Sequence, residues 1–116
     1  MSSLKLSVLD QSPIHDGKEA KQGLFDTIKL AIACENLGYH RYWSAEHHDT
    51  PGYASSCPEI MISSVANATK TIRVGSGGVM LNHYSAFKVA ETFNTLSALH
   101  NANNGDYANK ANDLIN

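Results

Sequence analysis

A basic excess is missing from this 116-residue chain: nine Lys and Arg against eleven Asp and Glu leave a formal net charge of −2. Nucleic acid and anionic membrane surfaces therefore find nothing to grip. RNA-binding signatures and zinc-finger spacings are absent as well. Cysteine is scarce: Cys34 and Cys57 are the only two, in no C-x-x-C spacing. Reduced thiols in the cytoplasm are the expectation. No apolar run approaches the ~20 residues of a membrane-spanning helix. Met1-Ser2-Ser3-Leu4-Lys5-Leu6 enters a strand pattern without the apolar centre of a signal peptide. What is there, 42% hydrophobic and 17% charged residues, suits a globular domain with one modest core.

Periodicity orders the chain. Leu4 to Asp10 alternates apolar and polar, and Ser12-Pro13 and Asp16-Gly17 mark a loop after it. The helical period from about Lys21 to Leu37 ends at Gly38, where a left-handed residue would stop the helix. On the helical wheel its polar wedge is narrow. Leu24, Phe25, Ile28, Ala31 and Ile32 fill one part of the apolar arc, and Leu30, Cys34 and Leu37 another, as for a helix that covers a sheet between neighbours. Glu35 falls inside that arc and demands a hydrogen-bonded partner near the strand ends. A second strand is expected at 40–46. Ser56-Cys57-Pro58-Glu59 then reads as a capping box with Ser56 as N-cap, opening a helix at 57–69 that buries Met61, Ile62, Val65 and Ala66. A third strand at 72–79 and a helix at 85–99 follow, the latter capped by Ser85 and facing inward with Val89, Ala90, Phe93 and Leu96. Strand, helix, strand, helix, strand, helix with short connections gives parallel (β/α) units. No repeat exceeds that unit.

Two motifs at strand ends carry the chemistry. Glu46-His47-His48-Asp49 invites a metal, since imidazole and carboxylate are good ligands. Neighbouring residues at a strand end point in opposite directions, however, so four in a row rarely converge on one ion. A zincin would need histidines at i and i+4 of a helix. Two readings stay open beside it: one packed and one solvated histidine, or acid–base work at a barrel mouth, where a near-neutral pKa is useful. Gly75-Ser76-Gly77-Gly78 lacks the Lys-Ser/Thr of a phosphate loop and runs on into Val79-Met80-Leu81. It either ends the strand in a bulge or lets a flat ligand lie against bare backbone.

Taken in order, these residues resemble the N-terminal part of the bacterial luciferase-like flavin monooxygenases. The resemblance runs from about Leu6 to His100. It is carried by Leu9-Asp10-Gln11-Ser12-Pro13-Ile14, Glu35-Asn36-Leu37-Gly38-Tyr39, Arg41-Tyr42-Trp43 and Ala45-Glu46-His47-His48. Ser56-Cys57-Pro58-Glu59, Ala68 through Leu81, His83-Tyr84-Ser85 and Val89-Ala90-Glu91 continue it. The alkanal-monooxygenase-like branch is the nearest match in pattern.

The resemblance implies a (β/α)8 barrel that binds reduced FMN, or a deazaflavin, at the strand C-termini. It implies an aldehyde or similar organic substrate oxidised with O2; no metal is expected, on the strand-end geometry given above. It makes His47 the catalytic group near the flavin's reactive edge. Gly77 and Gly78 support the ring through a non-prolyl cis peptide, and Ser12, Glu46 and His83 take secondary cofactor-binding roles. It also implies a homodimer or heterodimer packed through early helices.

Three βα units are three of the eight in a barrel of ~250 residues. Residues 1–100 are thus expected to form a partial barrel domain, and the asparagine-rich 101–116 a divergent, poorly ordered tail. The isolated chain is then expected to be inactive, as a truncated or frame-shifted product, or to be completed by a second chain. The rival reading is a non-catalytic remnant or a self-associating module, driven by open sheet edges.

Overall fold

The computed structural model describes residues 4–101. Three strands, β1 (Ser7–Asp10), β2 (Arg41–Ser44) and β3 (Arg73–Ser76), alternate with three helices, α1 (Ala20–Asn36), α2 (Pro58–Ala68) and α3 (Ala86–Asn101). The strands form one parallel sheet in the order β1-β2-β3. The sequence pattern predicts that architecture; the strands are shorter than expected because their outer residues pass into loops. The expected tail beyond His100 lies outside the described residues except for Asn101, which ends α3.

Side-chain alternation gives the sheet two unlike faces. Val8, Tyr42 and Val74 stand in register on the face covered by helices and meet Ile62, Val65, Phe93 and Leu96 in the core. Leu9, Trp43 and Gly75 stand in register on the opposite, inner face, where Leu9 is 54% exposed. Trp43 lies against Gly75 so closely that a Cβ there would be 2.5 Å from Cζ3 of the indole. Among the described residues β1 and β3 each have an edge without a strand partner.

The helix ends follow local chemistry, with one correction. Gly38 has φ +81°, and the Leu37, Gly38 and Tyr39 N–H groups close the end of α1 on the carbonyls of Ala33, Glu35 and Cys34. Glu35 finds its partner at the turn before β3: its carboxylate accepts the N–H groups of Lys70, Thr71 and Ile72. Burial pushes its pKa up, but these donors outweigh burial and hold it below the ordinary value. Ser85 caps α3 as expected, accepting the Lys88 N–H at 3.4 Å. The capping box is not formed: Cys57 is the N-cap of α2, no side chain caps it, and the Ser56 hydroxyl turns to the Cys57 sulfur instead. Pro58 stands in the first turn, where its missing N–H leaves no helical donor unpaired.

The wide arc of α1 is only partly used. Gly23, Thr27, Ala31 and Cys34 are buried, while Phe25, Leu30 and Ile32 are exposed. In α2, Met61, Ile62, Val65 and Ala66 are all buried, and in α3 Phe93 and Leu96 are buried with Ala90 exposed.

Candidate functional site

At the end of β1 the chain bends sharply around a buried carboxylate. Asp10 Oδ1 accepts the Ser12 N–H at 2.9 Å, while Oδ2 takes the Thr27 and Tyr42 hydroxyls, each at 2.6 Å. The Ser12 hydroxyl pairs with that of Thr27 at 2.7 Å. These bonds hold Ser12, a non-glycine residue, at φ +49°. Burial and the Asp10 carboxylate push the Tyr42 phenol far above its ordinary value, so it stays a donor. Ser12, expected at the cofactor, thus has its hydroxyl engaged within this knot.

The Glu46-His47-His48 tripeptide alternates as a strand end dictates. His47 turns toward the β1 loop: its Nε2 is 2.5 Å from Gln11 Oε1, and its ring stacks on Tyr53 with centroids 4.3 Å apart and planes 19° from parallel. Glu46 and His48 turn to the other side and meet each other at 2.6 Å. The buried Glu46 carboxylate also accepts the Tyr84 hydroxyl at 2.5 Å and the Met80 N–H at 3.1 Å. Burial pushes its pKa up, but the Tyr84, His48 and Met80 donors together hold it below the ordinary value. The same bond pushes Tyr84 up to about 12. His83 closes this group, its ring centroid 5.2 Å from that of His48. Among the described residues no three His, Cys, Asp or Glu side chains are placed to hold a metal ion.

Gly77 and Gly78 follow β3 directly and are exposed. Gly77 N–H donates to the Ser44 carbonyl at 2.8 Å, which extends the β2–β3 ladder to the rim. The Ser76 hydroxyl donates to the Gly78 carbonyl. The expected cis link is not there. Every peptide bond among the described residues is trans, the isomer favoured by about 3–4 kcal/mol for a non-prolyl bond.

So His47 and the glycine pair occupy one rim, at the C-terminal ends of neighbouring parallel strands. Glu46 and His83 share the β3 side, and His47 the β1 side. Of the residues that complete these contacts, Gln11 and Tyr84 lie in segments that carry the resemblance but receive no role from it, and Tyr53 carries no mark beyond its place in a loop. A cavity of about 250 Å³ beside Glu46 and Tyr84 is walled by Val79, Val89 and Phe93. These three pack with the helix-side core, so the cavity belongs to that face and not to the inner one.

The family model of the luciferase-like monooxygenases matches residues 4–101. The chain belongs to this family. It is 52% identical over 96 residues to N-acetyl-S-alkylcysteine monooxygenase of Bacillus subtilis, covering 83% of this chain and 29% of that protein. The crystal structure of apo-MsnO8 superposes with a TM-score of 0.82 at 48% identity, over 84% of this chain and 30% of that one. The oxygenating constituent of 3,6-diketocamphane monooxygenase from Pseudomonas putida, a type II Baeyer-Villiger monooxygenase solved with FMN, superposes with a TM-score of 0.79 at 22% identity. It matches over 85% of this chain and 27% of that one, a likeness of fold. The chain spans about 29% of the length of the curated relatives it matches.

Proposed function

We propose that these three βα units form one side of the flavin site of a luciferase-like monooxygenase, with reduced FMN as cofactor and a deazaflavin as the alternative. The observation that carries this reading is the shared rim of His47 and Gly77-Gly78. The residues fit a flat ring. A Cβ at Gly78 would meet no heavy atom within 4 Å, Gly77 is bare and exposed, and apolar Leu9 lies open on the adjoining inner face. Gly77 and Gly78 would support the ring, and His47 would stand at its reacting edge.

Reduced FMN supplies the electrons that activate O2 for oxidation of an aldehyde or similar organic substrate. The chain's own part is to orient and to shield. Gln11 and Tyr53 hold the His47 imidazole, where it can accept or give a proton. Glu46 spends its acceptors on Tyr84, His48 and Met80 and so fixes the loop that follows the glycines, with His83 packed on His48. Ser12 contributes through the bend it locks. Arg41 and Arg73 stand in register at the opposite, N-terminal ends of β2 and β3, away from this rim, and in this reading the flavin phosphate falls to other units. A lone chain should therefore bind FMN weakly or not at all.

A second reading is supported by the exposed Phe25, Leu30 and Ile32 of α1 and by the open inner face at Leu9. These surfaces would serve a homo-oligomer or a second chain that completes the barrel, with or without turnover. Among the described residues no helix is long and apolar enough to cross a membrane. Free Cys34 and Cys57 support a cytoplasmic protein.

The test joins this chain to the remaining βα units of the protein solved as apo-MsnO8 and titrates FMN by fluorescence. The joined protein should bind FMN and oxygenate. His47→Ala should lower turnover at least a hundredfold, the lower range for a lost acid–base group, with affinity changed only a few-fold. Equal turnover with alanine at 47 would return His47 to a structural role.

A further inference from the structure

We propose that Gln11 is a positioning residue that fixes the tautomer of His47, so that the neutral ring carries its proton on Nε2 and its lone pair on Nδ1. This deepens the reading above and rests on it for its catalytic meaning.

An amide oxygen only accepts, so a Gln11 amide that turns Oε1 to His47 Nε2, 2.5 Å away, puts the proton on that nitrogen; the reversed amide would put it on Nδ1, and the spectra below tell the two apart. The other nitrogen of the neutral imidazole is then the acceptor. Gln11 is itself held from below. It is the middle residue of the bend that Asp10 closes on the Ser12 N–H, and the left-handed Ser12 is locked by Thr27. The same segment also sets the ring plane. Pro13 pairs with Tyr53 in an isolated antiparallel bridge, the Ala54 N–H donates to the Ser12 carbonyl at 2.8 Å, and Tyr53 lies on His47. The loop after β1 and the loop after β2 that docks on it thus determine together which nitrogen is protonated and how the ring lies. An imidazole presenting Nδ1 as a lone pair takes a proton from its reaction partner. The opposite tautomer would donate one.

The chain labelled with 15N, in long-range 1H–15N correlation spectra at a pH where the ring is neutral, reads the tautomer directly. His47 should show Nε2–H. Gln11→Ala should shift the tautomer ratio roughly tenfold toward Nδ1–H, the worth of one net hydrogen bond. Gln11→Glu, which keeps an acceptor, should retain Nε2–H. A wild-type ring protonated on Nδ1 overturns the proposal. So does a Gln11→Ala chain that stays folded with its ratio unchanged, or loss of Nε2–H in Gln11→Glu. Should Gln11→Ala not fold, Gln11→Lys decides instead: its ammonium can only donate to Nε2 and should turn the ring to Nδ1–H, and a ring that stays Nε2–H there overturns the proposal. The spectrum reports on the ring alone, whereas the joined enzyme reports on catalysis. A correct tautomer beside a His47→Ala enzyme of full turnover would sink the proposed function and leave the positioning role standing.

Discussion

On the β1–β2 side of the rim, the loops around His47 are fastened to groups that are themselves buried: Asp10, Thr27, Tyr42 and Ser12. On the β3 side, the exposed glycines are held by the Ser44 carbonyl and the Ser76 hydroxyl, and the segment around the turn Leu81–His83 by a single carboxylate, Glu46, that gathers Tyr84, His48 and Met80. The first side is a fixed wall, because all three donors to the Asp10 carboxylate come from buried residues. The second is tied down only while Glu46 is charged. A site built this way keeps its histidine oriented while the opposite loop retains freedom to adjust to what it binds.

The largest effect should come from removing the knot under the first side. Asp10→Ala would leave the Thr27 and Tyr42 hydroxyls short of an acceptor, although each keeps one alternative, Ser12 Oγ for Thr27 and the Thr27 carbonyl for Tyr42 at 3.1 Å. Urea unfolding should show a loss of about 3 kcal/mol, the range for stranded buried donors. A loss below about 1 kcal/mol would mean that the two sides are fastened equally loosely. Next comes Gly75→Ala on the inner face. The methyl would overlap the Trp43 ring, and overpacking of this kind costs roughly 1–3 kcal/mol. An unchanged midpoint would show the indole free to swing away.

The pH dependence sharpens the contrast. The folded-state pKa of Glu46 lies below its ordinary 4.5. Its contribution is therefore complete above that ordinary value and is lost as pH falls through the lower, folded one. Amide exchange should show the Met80 N–H losing protection in that acid window, and Glu46→Gln should lower its protection already at neutral pH. Glu35 is held low in the same direction, so global acid unfolding belongs to both groups. Protection at Met80 that ignores both the pH and the substitution would remove Glu46 from its tethering role.

Much of this frame was legible in the sequence, for reasons that can be named. Periodicity marks strands and helices because alternation and the 3.6 repeat follow from burial on one face. Gly38 was legible because only a left-handed residue ends a helix there, and Glu35 because a charge in an apolar arc needs donors. The Asp10 knot was not. Its partners lie 17 and 32 residues away along the chain, and Thr27 and Tyr42 read as ordinary helix and strand residues. Gln11 and Tyr53 were hidden for a related reason: two loops meet there, and loops have no period. The capping box failed because a four-residue pattern competes with the tertiary path of the chain, which puts the helix boundary one residue later.

The smallest expected effect on stability is the most telling for function. Gly78→Ala adds a methyl into open space at a residue outside the left-handed region, so the fold should shift by less than about 0.5 kcal/mol. Gly77→Ala differs, because its methyl would stand 2.5 Å from Leu9 Cδ1, the movable end of a side chain, and so disturbs packing as well. Only the first substitution isolates the ligand surface. If a flat ring rests on this backbone, the Gly78 methyl occupies the ring's place, and the FMN affinity of the joined protein should fall at least tenfold with its melting temperature unchanged. Equal affinity would mean that the glycine pair merely ends β3. The β3 side of the rim would then be a loop terminus held by Glu46, and the cofactor surface would have to be sought along Leu9 and Trp43 instead.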